Sequence, residues 1–474
     1  MTTAHVATTH TTFSAARPYK TIFTLALPTV IAMVAQSVVN EIDVVFFAHL
    51  PTAAEASNSQ AALFPSLILL WAFGGTLSAI SVGTQALVAR RYAERDFGAA
   101  GAILMNAVWI SLVGGVGLTA LGLAIITPAS RVIALNPAVQ ATIQSYGAIR
   151  LCGVISMGMT MGIKAFFDGI GRTRVHLVAS VVMNVLNVLL CYTFIFGHFG
   201  APRLGAFGAG LAAFIATWVG LGIMLFYARG VARQFRWFRW SNVSRALSWS
   251  ILRLSIPAGA ATAVMMGGFA LFAWVAGRLD TIGDFTAAGS SSTEPIYGAA
   301  TTDIVEILKL TFTACIGFGT ATATLVGQSL GAKKPDDAAR YGWASARLGF
   351  VLFGLIGLCE GVFFTPQIVH FLTHSQAVYD VALVPMRIMG IATPIIAVAM
   401  ILSEALFGAG NPRFVAITQL ILIFGCLVPG AYLLGIVAGN GLVGVWSAAV
   451  VYAIFAAVAM TLKFRQGTWR HIQL

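Results

Sequence analysis

Three polar patterns stand inside otherwise apolar stretches of this 474-residue chain. Gln36, Asn40 and Asp43 are spaced i, i+4 and i+7, which stacks them on one helical face; Glu41 points away from it. A carboxylate flanked by amides in a partly dry cavity can alternate between protonated and charged forms, so Asp43 is a candidate ion-coupling residue. The bland alternative is an Asp near a helix end that reaches interfacial water. Asn184, Asn187 and Cys191 share one face by the same arithmetic. Their amides either serve ion coupling or bridge helices structurally. Asp303, Glu306 and Lys309 follow at i, i+3 and i+6; Glu306 can pair with Lys309, which leaves Asp303 as the lone charge. This third group either lines a cleft with Gln36 and Asn40 or forms an interfacial ion network. In the first case acid is presented from both halves of the chain, which suits cationic ligands.

Other ionisable residues in apolar surroundings carry less. Arg150 and Arg387 begin two stretches in matching places, where pairing with a neighbour or a lipid headgroup explains them. Glu360 and Glu404 stand near the ends of their stretches. His370 and His374 are spaced i, i+4 without a third ligand nearby, so no metal site is implied. The cysteines form no CxxC or framework spacing. There is no GxxxxGK[ST], GxSxG or HExxH stretch, so neither ATP hydrolysis nor a hydrolase or protease activity is indicated, and no cofactor is expected. Energy, if used, must come from an ion gradient.

The elements that hold these residues are membrane helices. The chain is 58% hydrophobic and 9% charged, with a mean hydropathy of +0.87. Soluble domains carry roughly 25% charged residues. Apolar runs of about 20 residues, the bilayer length, recur and predict twelve spans near 21–48, 61–89, 99–127, 139–165, 175–198, 206–228, 251–277, 298–328, 340–365, 379–406, 414–438 and 442–463. The backbone must satisfy its polar groups internally in lipid, which makes these spans helices, and no alternating-strand pattern suggests a barrel. The fold class is therefore an all-α polytopic membrane protein with two six-helix repeats about a pseudo-two-fold along the membrane normal.

The net charge of +12 and pI near 9.8 could suggest nucleic acid, but the cations follow topology instead. Arg17 and Lys20 precede span 1; Arg90, Arg91 and Arg95 follow span 2; Lys164, Arg172 and Arg174 flank the loop after span 4; Arg229 to Arg253 fill the loop after span 6; Lys333, Lys334, Arg340 and Arg347 follow span 8. The opposite loops hold only Arg131, Arg203 and Arg278. This positive-inside bias predicts cytoplasmic termini in the cell (inner) membrane and no nucleic-acid partner. The expected organisation is a cytoplasmic tail at 1–20, an N-lobe at 21–228, a basic linker at 229–250, a C-lobe at 251–464 and a tail at 465–474. The polar segment 280–300 has no equal in the first half and reads as a lid or as an exposed insertion.

The halves repeat. Gly169-Ile170-Gly171-Arg172-Thr173-Arg174 recurs about 240 residues later as Gly408-Ala409-Gly410-Asn411-Pro412-Arg413. Leu25-Ala26-Leu27-Pro28 answers Leu254-Ser255-Ile256-Pro257, and Leu87-Val88-Ala89-Arg90 answers Leu325-Val326-Gly327-Gln328. Pro28 and Pro257 permit a hinge or a static kink. Duplicated hydrophobic halves suggest a transport path between two lobes.

These motifs, with Asp43-Val44, Ile195-Phe196-Gly197, the stretch from Leu325 to Ala332 and that from Glu404 to Asn411, resemble the MATE (multidrug and toxic compound extrusion) family over about residues 20–464. The resemblance is closer to the DinF-type branch than to the NorM-type. It implies a non-enzymatic antiporter, expected as a monomer in membrane lipid, that exports small organic cations against protons or sodium by rocking its lobes. Asp43 looks like the family's span-1 acid, and Asn187 like the span-5 asparagine of the DinF-type branch. Cys191 stands where the family often has Asp, and Ala213 near a common Thr, so a sodium site would lack oxygen ligands and proton coupling is expected. The places of the NorM-type acids, near Met265 and Ile396, are apolar. Asp303 and Glu306 do not match family positions. The alternative is a lipid-linked saccharide flippase of the same superfamily. That function calls for a basic central cavity, whereas the in-span cations here are Arg150, Lys309 and Arg387.

Overall fold

A computed structural model describes residues 17–133, 136–281, 296–373 and 376–472. Side chains are described throughout these except at 38–45, at 48, in part of 53–68, and at 132, 133 and 281. Among the described residues, twelve helices are long and apolar enough to cross a membrane. Span 1 is Pro18–Ala48; span 2 covers 53–93 and is broken by a π-helical turn at Trp71–Gly75. Span 3 is Phe97–Ile133, span 4 Pro137–Gly169, span 5 Arg174–Phe196 and span 6 Gly205–Gly230. Span 7 is Arg245–Arg278, span 8 Ile296–Gly331, span 9 Pro335–Phe363, span 10 Gln376–Gly408, span 11 Pro412–Val437 and span 12 Gly441–Gln466. Asp280 caps span 8 from the far side of the 282–295 segment: its two carboxylate oxygens accept the backbone N–H groups of Tyr297 and Gly298 at 2.8 and 2.9 Å. The polar 280–300 stretch otherwise lies mostly outside the described residues.

The duplicated glycine motif has one geometry in both places. Gly171 and Gly410 take left-handed φ values of 78° and 85°. The helix ends close through matching bonds, Arg172 N–H to the Phe167 carbonyl at 2.8 Å and Asn411 N–H to the Leu406 carbonyl at 2.9 Å. A residue with a Cβ resists that φ, so glycine ends the helix. The first glycine of each motif serves packing. A Cβ on Gly169 would stand 2.9 Å from the Val88 side chain of span 2, and one on Gly408 only 2.2 Å from the Ala323 carbonyl of span 8.

The feet of spans 1 and 7 each pack into the other half. Below Pro28, the Ile22, Leu25 and Ala26 side chains are buried with Phe318, Tyr341, Ala344 and Ile401 of the second half. Correspondingly, Ile251 and Leu254 of span 7 join Ile80, Leu87, Phe166 and Phe235 of the first. The apolar feet of the two helices are thus exchanged between lobes, with an in-helix proline just beyond each exchange. The basic segment after span 6 is ordered rather than a bare loop. Phe235 and Trp237 enter the same first-half core, and the Asn106 amide donates to the Asn242 carbonyl at 2.7 Å.

Candidate interlobe ion and substrate site

The lobes meet near the end that carries the start of span 1, the end of span 12 and the basic loops, called here the basic end. Gln85 of span 2 donates to the Thr320 carbonyl at 2.8 Å and to the Thr324 hydroxyl at 2.9 Å. The Thr324 hydroxyl in turn donates to the Asp168 carbonyl at 3.0 Å, and Gln328 donates to the Gly169 carbonyl at 2.6 Å. Arg90 donates to the Ala409 carbonyl at 3.0 Å. Small residues allow this closeness. A Cβ on Gly331 would lie 2.4 Å from the Arg90 carbonyl, and one on Gly83 2.4 Å from the Ile251 carbonyl. The duplicated motif, at Gly169 and Ala409, is therefore part of the seam itself.

Farther from the basic end, Ser37 of span 1 donates to Thr313 of span 8 at 3.3 Å. Span 1 runs away from the basic end and span 8 runs toward it. Six residues beyond this contact, about 9 Å by helical rise, the backbone of Asp43 stands level with Ile307, beside Glu306. Glu306 and Lys309 form the ion pair that their spacing predicts. They share the Thr313 face, the face that meets span 1; Asp303, half-buried, stands about a quarter turn round the helix from Glu306 and Thr313.

Spans 1 and 5 run side by side in the same direction, and Thr173 donates to the Leu25 carbonyl at 3.2 Å. Eleven residues beyond this contact on each helix come Gln36, half-buried, and Asn184, 5% exposed. Neither amide atom of Asn184 has a hydrogen-bond partner. An unpartnered buried amide carries a desolvation cost of about 1–3 kcal/mol, so a ligand there would relieve it. Asn187 is half-buried on the same face. Cys191, fully buried, packs with Phe47 of span 1 at the level of the Asp43 backbone. The side chains of Asn40 and Asp43 lie outside the described residues; their backbone belongs to the span 1 helix.

Sequence reasoning missed the strongest buried charge cluster. Lys164 reads as one of the cations flanking a basic loop, and Asp168 attracts no notice. The two form an ion pair of 2.6 Å with side chains 10% and 1% exposed. His176 of span 5 and Glu404 of span 10 both lie within electrostatic reach of Lys164. Glu404 packs so closely on span 8 that a Cβ on Gly319 would fall 2.5 Å from its Cγ. The i, i+4 spacing of Lys164 and Asp168 was the available signal. Glu360 is engaged elsewhere, accepting the Thr311 hydroxyl at 2.9 Å within the second half.

A family model described as MatE matches residues 28–193 and 257–433, two stretches that start at the paired prolines Pro28 and Pro257. The chain is 27% identical over 465 residues to a probable multidrug resistance protein NorM of Thermotoga maritima, covering 95% of this chain and 93% of that protein. It is 25% identical over 468 residues to the multidrug resistance protein PmpM of Pseudomonas aeruginosa, covering 96% and 92%. Among solved structures, a MATE crystallised in complex with MaL6 superposes with a TM-score of 0.84 at 20% identity, covering 95% of this chain and 96% of that one. An outward-facing multidrug resistance MATE family transporter of the MOP superfamily gives 0.81 at 22% identity, covering 95% of both chains.

Proposed function

This chain belongs to the MatE family, and from that premise we propose that it is a secondary active antiporter that exports organic cations and drugs in exchange for protons. The relatives it resembles are named multidrug resistance proteins. The observation that carries the reading is the seam at the basic end, with the amides of Gln36 and Asn184 beyond it on one lobe and the acids Asp303 and Glu306 on the other. With that end in the cytoplasm of the inner membrane, this is a state sealed toward the cell interior. Rocking the lobes apart along the seam opens the alternate path.

The N-lobe pair of spans 1 and 5 is the coupling site, with Asp43 as the proton carrier and Asn184 and Asn187 as its polar surroundings. Sodium is the lesser candidate, because a hard cation wants several oxygens and Cys191 offers a thiol at the level of Asp43. This coupling site follows the DinF-type pattern, although the Thermotoga maritima relative carries a NorM name. The substrate cleft is lined by Gln36 and Asn40 on one lobe and by Asp303 and Glu306 on the other. Pairing of Glu306 with Lys309 leaves Asp303 as the net charge offered to a cation. A saccharide flippase would need a basic cleft, and Lys309 is already paired with Glu306. The protein works as a monomer, each chain holding both lobes.

The test is transport by purified protein in liposomes under a proton gradient or a sodium gradient imposed separately. A fluorescent organic cation should move with the proton gradient alone. Movement with the sodium gradient alone would overturn proton coupling, and movement with neither would overturn the antiporter reading.

A further inference from the structure

We infer that the basic end carries a binding site for the phosphate of an anionic phospholipid headgroup, formed jointly by the foot of span 1 and the start of span 9. A cavity of about 740 Å³ opens there, lined by Arg17, Tyr19 and Lys20 on one helix and Arg340, Trp343 and Arg347 on the other. Four cations converge on it, and among the described residues no carboxylate lines it. Of the two acids at the start of span 9, Asp336 holds Arg470 at 3.0 Å.

Three further features separate this cluster from ordinary topology-setting charge. First, Arg340, Trp343 and Arg347 fall on one helical face, so two guanidinium forks flank an indole at the level where the apolar part of span 1 begins. Arginine forks match phosphate oxygens, and Trp and Tyr favour the headgroup level. Second, all four cations are exposed, while Trp343 is fixed from behind by an edge contact to Phe464 at 5.3 Å. Third, the cluster is not a product of the repeat. The loops before spans 3 and 9 match through their left-handed residues, Arg95 and Lys333. That register, with the Pro28–Pro257 pairing, puts Ala246, Trp249, Ala102 and Trp109 at the four equivalent places. None is charged; the cations of that foot, Arg245 and Arg253, stand at other positions. A charge bias alone does not require convergence in one half.

Span 1 is the helix whose foot is packed in the second lobe while its far half holds Gln36, Asn40 and Asp43. A phosphate held between spans 1 and 9 therefore fixes that foot in place. The inference is independent of the transported substrate and of the coupling ion.

Binding of phosphatidylglycerol and phosphatidylcholine to the purified full chain can be followed by native mass spectrometry and by the shift in thermal unfolding. Each cation near an anionic surface contributes about fivefold, so Arg17→Gln with Arg340→Gln and Arg347→Gln should weaken phosphatidylglycerol binding on the order of 100-fold. Phosphatidylcholine binding should not change. Arg229→Gln with Arg233→Gln and Arg239→Gln removes equal charge at the same end and should keep the preference, which guards against a general charge effect. The site is overturned if wild type shows no preference for the anionic lipid, or if both triple variants lose it equally. It is also overturned if inorganic phosphate at the same concentration displaces the lipid or reproduces its effect, since the ligand would then be the free ion.

Discussion

Lys164 and Asp168 form a buried ion pair of 2.6 Å at the foot of span 4, and the Asp168 carbonyl accepts a hydrogen bond from Thr324 of the other lobe. One turn of helix thus carries both an internal charge pair and a strut of the interlobe seam. A buried pair gains little over apolar packing, because desolvation offsets the attraction. Its placement suggests another use. In the alternating-access cycle proposed above the seam comes apart, and water then reaches both charges. Their hydration favours the open state and offsets part of the loss of the seam hydrogen bonds, each worth about 1 kcal/mol.

Removing one member of this pair should be costly. Lys164→Met strands the Asp168 carboxylate, whose Oδ1 already lacks a partner. A loss of about 3–5 kcal/mol is expected, seen as a lower midpoint of thermal unfolding in detergent. Lys164→Met combined with Asp168→Leu should recover most of it. A double variant as unstable as the single one would contradict the desolvation argument.

The two glycine motifs should differ in tolerance despite their common geometry. A Cβ at Gly408 meets the Ala323 backbone at 2.2 Å, whereas one at Gly169 meets the Val88 side chain at 2.9 Å. Backbone cannot give way, so Gly408→Ala should cost about 1–3 kcal/mol more than Gly169→Ala. Gly410→Ala adds backbone strain of about 1–2 kcal/mol at its left-handed φ. Melting midpoints of the three variants check this order, and a Gly169→Ala variant that is the least stable would reverse it.

The repeat, the number of spans and the all-helical class were legible because lipid enforces them: length, hydropathy and glycine spacing are local signals. The Glu306–Lys309 pair was legible for the same reason, since one turn of helix fixes the distance. The cluster of Lys164, Asp168, His176 and Glu404 was not. It needs spans 4, 5 and 10 to converge, and only packing decides that. The exchange of the feet of spans 1 and 7 was equally hidden, because Ile22, Leu25, Ile251 and Leu254 look alike whichever lobe buries them. The ordered linker was hidden by its arginines, which mask the burial of Phe235 and Trp237.

Asn184 separates a structural amide from a functional one. Asn184→Leu fills a similar volume and removes a buried amide without partners, so the unfolding midpoint should rise, by the equivalent of about 1–3 kcal/mol. Transport driven by a proton gradient should fall by at least about tenfold, the effect of losing a single hydrogen bond to a charged species. Retained transport would assign Asn184 to packing alone.

Separation of the lobes can be tested at Ser37 and Thr313, whose side-chain oxygens lie 3.3 Å apart across the interface. Ser37→Cys with Thr313→Cys, in a chain whose exposed Cys359 is replaced by Ser, should form a disulfide under oxidation. Transport should stop on oxidation and return on reduction. Full turnover in the crosslinked state would mean that the lobes do not part there.

The central claim is that the span 1 acid couples a proton to the movement of an organic cation. Its most direct test is simultaneous measurement of cation flux and proton flux in liposomes, comparing wild type with Asp43→Asn. In wild type the two fluxes should run in opposite directions at a fixed ratio, and in Asp43→Asn both should vanish while the protein remains folded and still binds the cation. Proton-driven cation flux that persists in Asp43→Asn would contradict the account.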